Sequence, residues 1–277
     1  MIRAGALWDL RRYAAIIIAA VMLFTTTACT EKQRTVNLSE NEAYVKYVKA
    51  VDKVRAAGSF AGHIVLYGVF SMMEFERENN VLVGVKHIFG SGDDFQAEID
   101  ASWTDAEFIS YYKDGMYYLN AYDECFRYSM PGYAFLKMTL SMLVTEVLFP
   151  EEDIFGLEVV EDSQGTAIRF EVYQSGMQSV LRQLADYEDT GGFEIYSEDD
   201  VGYVFEDVVV RMRIDKSGML RDIRLAFIYQ ASHYHIDEDA EVTGYLEIGI
   251  NTSQIGGVTI DYPDDMDSYP DLETVWE

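Results

Sequence analysis

Val208 to Tyr229 reads VVVRMRIDKSGMLRDIRLAFIY. Val208, Val210, Met212 and Ile214 fall on one side of an extended chain, with Arg211 and Arg213 on the other. Successive side chains of a strand point to opposite faces, so this alternation predicts a strand with one buried face and one wet face. Asp215-Lys-Ser-Gly218 supplies turn residues, and Met219, Ile223, Leu225, Phe227 and Tyr229 return along a second strand. Strands this long joined by a tight turn pair antiparallel, and their apolar side must be covered.

The same reading extends in both directions. Val242, Leu246, Ile248 and Ile250 form one face of another long strand, and Val258–Tyr262 reads as a last short strand before an acidic tail. Upstream, Thr166–Tyr173 alternates. Phe60–Met72 and Val81–Phe89 are apolar on both alternations, which predicts strands covered on both faces. Phe95–Trp103 alternates cleanly. Phe108–Lys113 and Met116–Ala121 flank Asp114-Gly115, a two-residue hairpin signal, and Tyr111, Tyr112, Tyr117 and Tyr118 are placed for cross-strand aromatic pairing. Glu124–Ser129 reads as a further strand.

Three segments carry helical spacing. Ser39-Glu40-Asn41-Glu42 is a capping box, followed by Tyr44, Tyr47, Val48, Val51 and Val54 at helical intervals, with Gly58 as the stop. Gly132–Phe149 (GYAFLKMTLSMLVTEVLF) has 12 apolar residues among 18, bounded by Pro131 and Pro150. A helix apolar nearly all round needs cover on most sides, which predicts a core helix or a plug in the hollow of a curved sheet. Gly176–Tyr187 has a third, amphipathic pattern at Met177, Val180, Leu181 and Leu184. Together these predict an α+β fold: a large, strongly curved antiparallel sheet, a half-open barrel, with about three helices covering or filling its concave face. No repeat or composition break divides residues 39–277, which read as one domain with an acidic C-terminal tail.

The chain begins with a basic leader (Arg3, Arg11, Arg12), then 11 apolar residues (Ala14–Phe24), then Thr25-Thr26-Thr27-Ala28. Basic, apolar and small zones in that order are the pattern of a secretory signal, here residues 1–28. The apolar run falls short of the roughly 20 residues that a membrane-spanning helix needs. Thr26-Thr27-Ala28-Cys29 resembles the lipobox of bacterial lipoproteins, with Thr26 in the place usual for leucine. The resemblance implies cleavage before Cys29 and acylation of that thiol with palmitate-type chains, so that residues 29–38 form a lipidated cysteine and a short tether.

The formal charge is −27. Residues 1–28 hold three Arg and one Asp, so the remaining chain has 18 basic and 47 acidic residues, a charge of −29. That sign repels nucleic-acid phosphates and anionic lipid surfaces, so no nucleic-acid partner is expected. With Cys29 lipidated, Cys125 is left without a disulfide partner, and the core is held by burial.

Catalytic signals are few. G-x-S-x-G, a cysteine with a nearby histidine and a Gly-rich phosphate loop are absent. His233-Tyr-His235 puts two imidazoles on one face of an extended segment, half of the set that a zinc site needs. A metal-dependent hydrolase would be built on that pair. The acidic runs at Asp93-Asp94, Glu198-Asp199-Asp200 and Asp264-Asp265 lack the spaced calcium-loop pattern and read as solvated loops. No cofactor, resident metal or enzymatic activity is expected.

Lys113-Asp-Gly-Met-Tyr-Tyr-Leu-Asn120, the strands Arg211–Leu220 and Val242–Asn251, and the closing Val258–Pro263 together resemble LolA/LppX-type lipoproteins, in particular the Gram-positive lipoproteins near them. The resemblance implies a half-open curved sheet with helices in the concavity and binding of acyl chains or lipidated cargo there. The residues assigned to such a hollow are Phe135, Met138, Met142, Tyr112 and Tyr118. The implied protein is anchored by its N-terminal lipid on the extracytoplasmic face of a bacterial cell membrane and binds a hydrophobic ligand without catalysis. The alternative is a surface module that recognises a protein or cell-envelope polymer.

Overall fold

Regular structure in the computed structural model begins, in chain order, with β1 (Arg34–Thr35), α1 (Glu40–Ala56), β2 (Ser59–Met72), β3 (Phe75–Ile88), β4 (Gln96–Asp100), β5 (Phe108–Lys113), β6 (Met116–Ala121) and β7 (Glu124–Ser129). It continues with α2 (Met142–Thr145), β8 (Ile154–Asp162), β9 (Gly165–Val172), α3 (Gln174–Ala185), β10 (Val201–Asp215), β11 (Leu220–His233) and β12 (Glu241–Ile255). Short 3₁₀ turns lie at Glu151–Asp153 and Met266–Ser268. The structure describes residues 34–35, 40–72, 75–89, 95–101, 108–121, 124–132, 141–185, 201–233 and 241–271. The chain falls into two compact units, Met1–Arg34 and Thr35–Glu277.

All the described strands belong to one sheet, in the order β1-β8-β9-β10-β11-β12-β2-β3-β4-β5-β6-β7. It is open, antiparallel and strongly curved, and the fold is α+β. Two meanders, β2 to β7 and β8 to β12, are stitched together by pairing of β12 with β2, in which Ile250 lies opposite Ile64 and Ile248 opposite Leu66.

The Val208–Tyr229 pattern forms the centre of the second meander. Val210 lies opposite Leu225 and Met212 opposite Ile223, and Val208, Val210, Met212, Ile214, Ile223, Leu225 and Phe227 are buried. Arg169, Arg211 and Arg224 form a row across the other face, where Arg169 meets Glu171 and Arg224 meets Glu247, each at 2.9 Å. A bulge between Glu206 and Val209, with Asp207 at φ 52°, resets the alternation so that Phe205 and Val208 both turn inward.

The Asp114-Gly115 hairpin forms as expected. Both residues have positive φ, 52° and 76°, the requirement of the mirror-image turn that matches strand twist. Tyr111 pairs with Tyr118 and Tyr112 with Tyr117. On α1, Ala43, Tyr47, Ala50, Val51 and Val54 are buried, and the helix lies on β2, β8 and β11 beside α2. α3 packs on β10.

Several expectations change. Val258–Tyr262 is not a strand: Gly257–Pro263 runs without ladder pairing across Tyr111 on the outer face of the first meander. The Gly132–Phe149 helix ends early. Glu146 is extended (φ −132°, ψ 151°) after α2, because the following backbone turns into the core, where Leu148 and Phe149 are buried and Leu148 N–H donates to Tyr47 Oη at 3.3 Å. Residues 133–140 of that segment, the Ser39 cap and residues 1–33 lie outside the described residues. β2 and β3 are buried on one face only. Val65 and Tyr67 are half-buried and Leu82 is exposed, because cross-strand contacts such as Tyr67 on Tyr245 (6.1 Å) cover this face in place of a second layer. β8 had no alternating signature, since Gly156 (φ 61°) and a register shift between Phe155 and Glu158 break its period.

Candidate functional site

The inner face of the first meander carries a column of stacked rings. Phe60 of β2 lies on His87 of β3 (5.3 Å, 14°), His87 on Phe95 (6.0 Å, 12°), and Phe95 on Tyr112 of β5 (4.3 Å, 9°). The period-2 pleat and the ladder produce it, for Phe60 is the ladder partner of His87, His87 of Ala97, and Ala97 of Tyr112. All four rings are buried. Around them lie Val83, Val85, Ala97, Ile99 and Tyr117.

Polar contacts join this floor to the segment above it at a few points. His87 Nε2 and Ser141 Oγ share a hydrogen bond at 3.0 Å, both groups fully buried. Tyr112 Oη donates to the Met130 carbonyl at 3.0 Å; separately, Arg55 of α1 donates through Nη2 to the Thr145 carbonyl at 2.5 Å. Burial drives the His87 imidazole down to about 3, so it is neutral at physiological pH. Ser110 Oγ, on the same face of β5 as Tyr112, is buried with no hydrogen-bond partner among the described residues.

The residues assigned from sequence fall in different places. Met142 and Tyr112 are buried in the main core. Tyr118 is in a second cluster on the opposite face of the sheet, with Tyr111, Met266 and Tyr269. Neighbouring residues of a strand face opposite ways, so Tyr112 and Tyr118, on paired strands but out of register by one, do not line one pocket. Phe135 and Met138 lie outside the described residues, as do Cys29 and His235. His233 closes β11 opposite Val201. Among the described residues no three His, Cys, Asp or Glu side chains gather as metal ligands. Cys125 is half-buried beside Tyr269.

Sequence reasoning missed both His87 and a motif. A single histidine in an apolar strand has no pattern to announce it; only the flanking Phe60 and Phe95 hint at a stacked column. Ser110-Tyr-Tyr-Lys113 spells the S-x-x-K of acyl-enzyme families. On a strand, positions three apart face opposite sides. Ser110 is buried inside while Lys113 lies 5.1 Å over the Tyr262 ring on the outer face, so the pair does not meet. No helix among the described residues is long and apolar enough to cross a membrane.

No family model matches the chain, and no curated protein matches it. Solved structures to which it is similar include a protein domain from Vibrio parahaemolyticus named for outer membrane lipoprotein sorting (9% identity, 83% of this chain and 96% of that one, TM-score 0.27). A LolA superfamily protein from Nitrosomonas europaea is another (11%, 80% and 96%, TM-score 0.27). A DUF1329 family protein from Desulfovibrio piger is a third (8%, 78% and 94%, TM-score 0.25). Two of the three carry names from the group that the sequence resembles.

Proposed function

We propose that the chain is a lipid-anchored extracytoplasmic protein that holds an apolar or acyl-chain ligand between the inner face of its curved sheet and the 132–149 segment, without catalysis. The observation that carries this reading is the Phe60–His87–Phe95–Tyr112 column. It makes a flat aromatic floor from β2 to β5, and the chain above it is tied to that floor by the hydrogen bonds of Tyr112 to Met130 and of His87 with Ser141. Each such bond contributes about 1 kcal/mol net, and the ladder beneath does not depend on them. Phe135, Met138 and Met142 are proposed as the ligand-facing side of the cover, methionine being adaptable to irregular apolar shapes. Tyr112 belongs to the floor, and the Ser110 hydroxyl is available to a ligand's polar end. Cys29 is proposed as the anchor; acyl chains contribute about 0.8 kcal/mol per buried CH₂, so two or more make the attachment durable.

The test is native mass spectrometry of residues 30–277, expressed without the signal and purified without detergent. An added mass of fatty-acid or lipid size that solvent extraction removes is expected. A bare mass, with no displaceable uptake of a fluorescent acyl probe, would end the reading. For the anchor, Cys29→Ser in the full chain is expected to move the protein from the membrane fraction to the soluble one.

A further inference from the structure

Lys46, Lys49 and Lys53 follow one another on α1 at spacings of three and four, which aligns them as a stripe along the helix. Between that stripe and the β8–β9 and β10–β11 turns lies a half-open cleft of about 380 Å³, with Lys216 on its far wall. The volume is in the range of small-molecule sites, roughly 300–1,000 Å³. Four of the chain's eight lysines line it, in a protein of charge −27.

The three carboxylates of the cleft are already engaged. Glu161 meets Lys46 at 2.8 Å. Asp162 takes Arg213 at 2.5 Å and the Gln164 and Gly165 N–H groups at 2.8 and 3.1 Å. Asp215 takes Arg221 at 2.7 Å and the Ser217 and Met219 N–H groups at 2.8 and 3.0 Å. Partial burial opposes the charge on Asp215, but the Ser217 hydroxyl, the Met219 N–H and Arg221 outweigh it and hold the carboxyl down at about 2. The lining therefore holds four lysines against three carboxylates, a surplus of one positive charge, and Arg213 and Arg221 just outside it neutralise Asp162 and Asp215; Asp52, exposed on the same helix, does not line the cleft.

Lys49 and Lys216 make no hydrogen bond or ion pair among the described residues, and both are exposed. Lys53 is directed over the hairpin by its bond to the Ser217 carbonyl at 2.6 Å, where a Cβ on Gly218 would meet its ammonium group. Two of its N–H bonds remain to donate. Ammonium groups are point charges with three donors and no fixed plane, which suits a tetrahedral oxyanion better than a planar carboxylate. Screening over about 8 Å at physiological salt lets this local surplus outweigh the distant acidic surface. We propose that the cleft binds a phosphate monoester, held by Lys49, Lys53 and Lys216. A soluble phosphate ester and a phosphatidate headgroup share that chemistry.

The full chain, in a non-ionic detergent, is titrated with glycerol 3-phosphate and separately with dihexanoyl phosphatidic acid, and followed by ³¹P NMR. Saturable binding of at least one is expected, weakening as NaCl rises, and weakened about tenfold or more in the Lys49→Gln/Lys216→Gln variant as two nearby charges are lost. Lys86→Gln, which removes a lysine paired with Glu98 on β3 and β4, is expected to leave it unchanged. Glycerol 3-phosphate binding identifies a soluble ester as sufficient; binding of phosphatidic acid alone identifies a lipid headgroup. No saturable binding of either probe up to about 10 mM, or equal binding by the double variant with an unchanged circular dichroism spectrum, overturns the proposal. Neither result depends on whether an acyl chain occupies the sheet's inner face.

Discussion

His87 links local chemistry to the stability of the molecule. Its folded-state pKa lies at about 3 because burial disfavours the imidazolium, whereas an unfolded histidine titrates near 6.5. Below that upper value the unfolded chain takes a proton that the folded one refuses. Its stability contribution is therefore complete above about pH 6.5 and is lost as pH falls toward 3. Asp215, held at about 2, adds a second loss that begins below about pH 3.9. Urea midpoints measured from pH 7 to pH 4 are expected to fall, and His87→Leu is expected to flatten that slope while lowering stability at pH 7. An unchanged slope in the variant would assign the acid lability elsewhere. Gly62 is a second single-residue constraint. A Cβ there would fall on the backbone carbonyl of Asn251 in the neighbouring strand, and Gly62→Ala is expected to cost about 1–3 kcal/mol by overpacking, read from denaturant unfolding.

Among the elements, the C-terminal segment after β12 acts as a strap. Val258 N–H donates to Ser59 Oγ at 3.1 Å, Tyr262 Oη donates to Gln96 at 3.0 Å, and Arg127 N–H donates to the Pro270 carbonyl at 2.9 Å. Met266 and Tyr269 are buried over Tyr111 and Tyr118. The strap thus supplies the outer face of β5 to β7 with the apolar cover that those tyrosines require. Met266→Ala is expected to cost about 2–5 kcal/mol. Hydrogen exchange should show the loss concentrated in β5, β6 and β7, with β9 to β11 little changed; uniform loss would mean that the strap stabilises the whole sheet.

At the scale of the whole molecule, 48 acidic residues against 21 basic ones make self-repulsion the leading electrostatic effect. Ion pairs such as Lys46–Glu161 and Arg169–Glu171 are partly exposed and contribute about 0–1 kcal/mol each. Raising NaCl from about 20 to about 200 mM shortens the Debye length severalfold, so thermal scans are expected to show a higher Tm at the higher salt. A lower Tm would show that the ion pairs outweigh the repulsion.

The alternation of Val208, Val210, Met212 and Ile214 against Arg211 and Arg213, the Asp114-Gly115 turn and the Tyr47–Val54 stripe were legible because each depends on neighbours in the chain. Period, turn chemistry and amphipathic spacing are local properties, and they determined β2 to β7, β9 to β12, two of the helices and the α+β class. The pairing of β12 with β2 and the meeting of His87 with Ser141, 54 positions later, were decided by the tertiary structure, as was the gathering of Lys46, Lys49 and Lys53 around Lys216. So was the conversion of Val258–Tyr262 from a strand into a strap. In each case the partner is remote in sequence, and burial, register and charge balance depend on what the folded sheet brings alongside.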